Sequence, residues 1–243
     1  MSDNSNIPYD VIDLPSDGIL YPSKTKTIKV EYLTALDESI LTSPNLGEKG
    51  LILDTLLERK IKNLNFDPLD LLIGDRLAIL IWLRITGYGH EYPIQVWNEK
   101  EKKYEIVQFD LRELKQKKLT VVPDENGLFD FITPISQKKL KFKLLTGNDD
   151  KEITRKDAEW ISRGNDSLKV RFRLEQQIVS IDDNNDPVHI FGEISKMPLK
   201  DSIDFKKYAS DIDPGIDFKI NVKTSGGESV ETFLTIRSDF FLL

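Results

Sequence analysis

Asp75-Arg76-Leu77-Ala78-Ile79-Leu80-Ile81-Trp82-Leu83-Arg84-Ile85-Thr86-Gly87-Tyr88-Gly89 is the stretch on which the fold turns. Asp75 stands where a helix N-cap is expected, and Gly87 and Gly89 supply the backbone freedom on which helices end. Between them Leu77 to Ile85 is apolar nearly all round, not along one stripe, so this helix is expected to be buried on most sides. Its apolar run breaks at Arg84, far short of the ~20 residues a membrane span needs. The rest of the chain must supply its cover.

Working back from it, Asp67-Pro68 has the form of an N-cap followed by a first-turn proline. Leu51, Leu53, Leu56, Leu57 and Ile61 mark an earlier helix, and Thr34-x-x-Asp37 caps a shorter one that Ser43-Pro44-Asn45 ends. Thr27 to Leu33 alternates as a strand. Residues 1–25 are expected to form an extended N-terminal arm, since Pro8, Pro15, Gly18 and Pro22 interrupt any regular element. Ile7, Tyr9, Val11, Ile12, Leu14, Ile19, Leu20 and Tyr21 nevertheless need a surface, in this chain or a partner. In the free protein the arm is expected to be the first segment cut by protease.

Working forward, Pro93–Trp97 and Tyr104–Phe109 alternate around the charged Asn98–Lys103 turn as a hairpin. Leu119–Val122, Leu128–Phe131 and Leu140–Leu145 are further strand candidates. The polar stretch Gly147–Lys151 introduces a helix carrying Ile153, Ala158, Trp160 and Ile161, and others are expected over Leu168–Ile178, Val188–Lys196 and Leu199–Tyr208. Ile216–Val222 and Val230–Ile236 form a second hairpin around Ser225-Gly226-Gly227. The final Phe240-Phe241-Leu242-Leu243 needs burial in the protein's own core or against a neighbour. The pattern is that of an α+β protein: a helical body with small β-hairpin elements, an extended N-terminal arm and an apolar C-terminal end. It divides into 1–25, a mixed part 26–146 with the central hairpin, and a helical part 147–243.

Composition removes many chemistries. The 243 residues include no cysteine and two histidines, which excludes thiol nucleophiles, disulfides and cysteine-based metal sites. A net charge of −7 argues against a nucleic-acid partner. No phosphate-cradling Gly-x-x-x-x-Gly-Lys-Ser/Thr and no Gly-x-Ser-x-Gly elbow occurs, and Gly47–Gly50 is only a turn. His90 is expected to be a loop residue. Asp211-x-Asp213-x-Gly215-x-Asp217 spaces carboxylates like a calcium loop, but Val222 stands where the bidentate glutamate belongs. Lys139, Lys141 and Lys143 alternate with apolar residues as the wet face of a strand. No catalytic residue, cofactor or metal is expected, and neither a membrane nor a small-molecule substrate. The N-terminus lacks the basic start and apolar run of a signal peptide.

Leu14-Pro15-Ser16-Asp17-Gly18-Ile19-Leu20-Tyr21-Pro22 resembles the Leu-Pro-Ser-x-Gly-x-x-Tyr-Pro motif of the baseplate hub assembly proteins of T-even-like tailed phages. In the same order follow Leu33–Glu38, Gly74-Asp75-Arg76, Gly87-Tyr88-Gly89, Asp110-Leu111, Leu144-Leu145-Thr146-Gly147 and Pro214-Gly215, ending in a hairpin and Phe240-Phe241. Many members of that family carry Cys-x-x-Cys knuckles on both hairpins. Here the matching turns, Trp97–Tyr104 and Lys223–Gly227, have none. The resemblance implies a non-enzymatic structural subunit or assembly factor of the tail baseplate hub. It would bind other phage tail proteins, in the virion or in the host cytoplasm during assembly. Leu14, Pro15, Tyr21, Pro22, Phe240 and Phe241 are the candidate partner-binding residues. The rival reading is a metal-free cell-wall glycan hydrolase using a carboxylate pair.

Overall fold

The computed structural model describes residues 7–43, 51–236 and 238–241. The Gly47–Gly50 turn, Pro44-Asn45, and Leu242 and Leu243 of the apolar end lie outside them. Strand β1 (Tyr9–Asp13) pairs antiparallel with β2 (Thr27–Glu31), whose other edge holds β3 (Ile61–Lys62). The arm is therefore not a free extension within residues 7–25. Its prolines fall outside the β1 ladder, so no ladder donor is lost, and the Pro8 carbonyl accepts from Tyr32 N at 3.0 Å. Gly18 makes the turn possible, with φ of +67° and a would-be Cβ 2.1 Å from the Thr25 carbonyl oxygen.

Helix α1 (Ala35–Leu41) begins as expected at Thr34, whose amide and hydroxyl both donate to the Asp37 carboxylate at 2.8 Å. Asp37 also forms an ion pair with the buried Lys60 at the end of α2 (Ile52–Lys60). A short turn over Pro68–Asp70, capped by Asp67, leads into α3 (Ile73–Tyr88), the central helix. Ala78, Ile79, Leu80, Ile81 and Leu83 are all buried, which fits an apolar sequence with no polar face. This helix starts two residues before Asp75, with Leu72 as its N-cap, so Asp75 is not the cap. Gly89 at φ of +88° ends it.

β4 (Glu91–Asn98) and β5 (Lys103–Asp110) form the first hairpin, and β6 (Lys115–Lys117) follows. β7 (Phe129–Ile132), β8 (Lys139–Phe142) and β9 (Ile178–Ile181) make a three-stranded antiparallel sheet. Helices α4 (Gly147–Ser162), α5 (Lys169–Gln177), α6 (Pro187–Lys196) and α7 (Leu199–Ile212) fill the second half. β10 (Gly215–Asp217) pairs with β6, and β11 (Lys219–Lys223) with β12 (Ser229–Phe233) closes as the second hairpin.

Three expectations change. Leu119–Val122 forms no strand among the described residues. The helix expected over Leu168–Ile178 ends at Gln177, and Ile178–Ile181 completes the β7–β8 sheet, where its β-branched residues pack better. Gly215–Asp217 belongs to β6, a hundred residues upstream, not to the last hairpin. The outcome is an α+β fold with seven α-helices and small antiparallel sheets among the described residues. Its apolar core runs unbroken from Leu14 to Phe241, and the β8–β9 ladder crosses the position 146 boundary. No described helix is long and apolar enough to cross a membrane.

Candidate functional site

Four separated segments meet at the start of α3. The Asp75 carboxylate, with no exposed surface, accepts Ser16 N at 3.0 Å, Ser16 Oγ at 2.5 Å and the Tyr21 hydroxyl. The Tyr21 oxygen in turn accepts Leu72 N at 2.9 Å, which satisfies an amide at the helix entrance. On the opposite side Ile73 N donates to Leu145 O and Gly147 N to Leu71 O, both at 3.0 Å. Arg76 packs over Gly147, where a Cβ would fall 2.4 Å from its guanidinium, and it pairs with Asp54. Gly74 meets the chain's far end: a Cβ there would sit 1.8 Å from the Pro214 carbonyl oxygen. Thus Leu14–Pro22, Leu144–Gly147 and Pro214-Gly215 all converge on Gly74-Asp75-Arg76.

Electrostatics makes this junction a lock. Burial raises the pKa of Asp75, against the pull of its donors, and burial followed by the Asp75 charge raises that of Tyr21. Both hydroxyls donate to one carboxylate, so neither is free to act as a nucleophile. A substrate has no route to Asp75 unless the junction opens.

The other end of α3 gathers the remaining motifs. Arg84, buried, donates from Nε to Phe240 O and from Nη1 to Gly89 O, each at 3.0 Å. Its guanidinium lies 5.2–5.9 Å from the ring centres of Tyr88, Tyr92 and Phe240. Phe241 packs edge-on against Phe240 at 5.4 Å.

The two hairpins lie against each other, β11 beside β5 and β12 beside β4, and Ile94, Val96, Phe109, Ile220 and Val222 are all buried in the core. A clasp of hydrogen-bonded polar side chains joins the tips. Glu105 accepts Ser225 N and Oγ at 2.7 Å and Asn98 Nδ2 at 3.0 Å. The buried Asn98 holds its own turn by accepting Lys100 N and Glu101 N at 3.1 Å. Lys100 Nζ reaches Gly226 O at 3.2 Å. Bonds from Asn98, then Ser225, hold the Glu105 carboxyl below its usual range.

Of the six candidate partner-binding residues, Leu14, Pro15, Tyr21, Phe240 and Phe241 are buried in the protein's own core, and only Pro22 is exposed. The burial that these apolar side chains need is supplied within the chain. Sequence reasoning did not foresee Ser16 with Asp75, or Glu105 with Ser225. Ser16 lay inside a quoted motif, while Glu105 and Ser225 are 120 positions apart and carried no signal.

A glycan-cleaving pair needs an acid of raised pKa facing a second carboxylate. Burial pushes Asp213 up to about 6, but the cavity it lines holds Arg173, Gln177, Lys206 and Ser210 with no second carboxylate. Glu113, Asp217 and Glu231 share a groove, where Glu231 is paired to Lys219 at 2.9 Å. Among the described residues no cluster of three or more His, Cys, Asp or Glu could hold a metal ion. Compared with known proteins, the chain matches no family model, no curated protein and no solved structure.

Proposed function

We propose that this protein is a non-enzymatic baseplate hub protein of a tailed phage, a structural subunit or assembly factor acting through protein–protein contacts. One observation carries the reading: the motifs that resemble the hub family lie far apart in sequence yet gather at the two ends of one buried helix. Residues placed that way, sealed from solvent, determine architecture more than chemistry. A shared set of such residues is what a common scaffold would retain when its surface contacts vary.

Exposed apolar side chains offer partner surfaces. Trp97, Tyr104 and Ile106 stand on the outer face of the first hairpin, with the Trp97 and Tyr104 rings 5.1 Å apart. Such clusters mark protein contact sites. Quantitative mass spectrometry of purified particles and of assembly intermediates tests the proposal. A subunit is expected in both at fixed stoichiometry, and an assembly factor in the intermediates only. Absence from both, together with turnover of peptidoglycan by the purified chain, would overturn it in favour of a hydrolase.

A further inference from the structure

The cavity beside Asp213 is unlike the rest of the surface. It measures about 170 Å³ and is lined by Arg173 and Gln177 of α5, Lys206, Ala209 and Ser210 of α7, and Asp213 just beyond α7. Asp213 Oδ1 is buried without a hydrogen-bond partner. Gln177 is 6% exposed, and its carboxamide bonds to no described residue. Arg173 and Lys206 form no ion pair among the described residues, although the chain as a whole carries net negative charge. Arg173 is near enough for its charge to act on Asp213, as is Lys117 of β6, yet neither forms an ion pair with it. Lys117 is committed to the Ser210 carbonyl at 2.6 Å. Unpaired donors and an unpaired acceptor therefore face one another across a space larger than the roughly 150 Å³ that suffices for benzene.

What fits must present an anion to Arg173 and Lys206 and a donor to Asp213 Oδ1. A carboxylate alone leaves the buried Asp213 Oδ1 orphaned, which is costly, and an amine alone makes no use of the two cations at the rim. We infer that this cavity binds a small α-amino carboxylate, its carboxylate on Arg173 and Lys206 and its ammonium on Asp213 and the Gln177 carbonyl. The binding is non-covalent and no reaction is assigned to it. The site stands apart from the junction and the clasp, so it does not depend on the baseplate reading.

Titration of the full-length chain, followed by amide NMR shifts, tests the inference with glycine, acetate and methylammonium as probes. Glycine is expected to give saturable shifts at Arg173, Gln177, Ser210 and Asp213, with a Kd about tenfold or more below that of acetate. Asp213→Asn is expected to remove the advantage of glycine over acetate, and Arg173→Ala to weaken both about tenfold, in variants whose spectra stay dispersed. No saturable shift from glycine up to about 100 mM would mean that only water fills the cavity and would overturn the inference. Equal binding of glycine and acetate in the unsubstituted protein would overturn it as well.

Discussion

Three donors converge on the sealed carboxylate of Asp75. Asp75→Ala strands the Ser16 amide, the Ser16 hydroxyl and the Tyr21 hydroxyl, at about 1 kcal/mol or more each. A loss of about 3 kcal/mol or more in urea unfolding is expected. Tyr21→Phe removes both the hydroxyl's donation to Asp75 and the acceptor for Leu72 N, and should cost about 1–3 kcal/mol. Because the two changes share a network, their costs should not add, which a double-mutant cycle reads directly. Asp213 works in the opposite sense. Its pKa rises from 3.8 unfolded to about 6 folded, so the folded state holds the proton longer. Stability is full below the unfolded value and falls as pH rises through 6. Asp213→Asn should therefore match the unsubstituted protein near pH 4 and exceed it by about 1–3 kcal/mol at neutral pH, measured by denaturant melts across pH. The sequence marked Asp75 for a local cap and Asp213 for a rejected calcium loop. Neither role was legible, because both depend on segments 40 or more residues away.

Among elements, those governed by local rules were legible. Thr34 with Asp37, Asp67-Pro68 and the all-apolar α3 follow from capping and periodicity within a few residues. Both hairpins also followed from alternation and turn composition. What escaped were short strands made by distant partners: Lys115–Lys117 with Gly215–Asp217, and Ile178–Ile181 on β8. A three-residue Lys-Gln-Lys strand has no pattern of its own. The clasp between hairpin tips belongs to the same class, and it yields its own prediction. Glu105→Gln and Ser225→Ala should each speed hydrogen exchange at the tips of both hairpins. The pKa of Glu105 is lowered in the fold, so its contribution is present at neutral pH and is lost as pH falls through the folded value. Tip protection should drop in acid. A chelator should leave the melting temperature unchanged, and a fall on chelation would mean that a metal holds the hairpins.

For the whole molecule, the two chain ends complete the core. Phe240 and Phe241 are buried, and β1 supplies the third strand of the first sheet. Losing a buried phenylalanine side chain costs about 3–5 kcal/mol. Deleting 240–243 should lower the melting temperature by more than about 10 °C at about 2–4 °C per kcal/mol. With residues 7–25 laddered and packed, limited proteolysis of the free chain should spare them as well as the body, in contrast to a free arm. With β1, Phe240 and Phe241 taken up by the core, the exposed faces are the surfaces left to the partners proposed above. Co-expression with the tail baseplate proteins that the proposed function implies as partners, followed by affinity capture and size-exclusion chromatography, tests that most directly. A stoichiometric complex that survives the column, and is weakened by Trp97→Ala with Tyr104→Ala, is the expected result. Elution of the chain alone, from every pairing with the hub and its neighbours, would contradict the account.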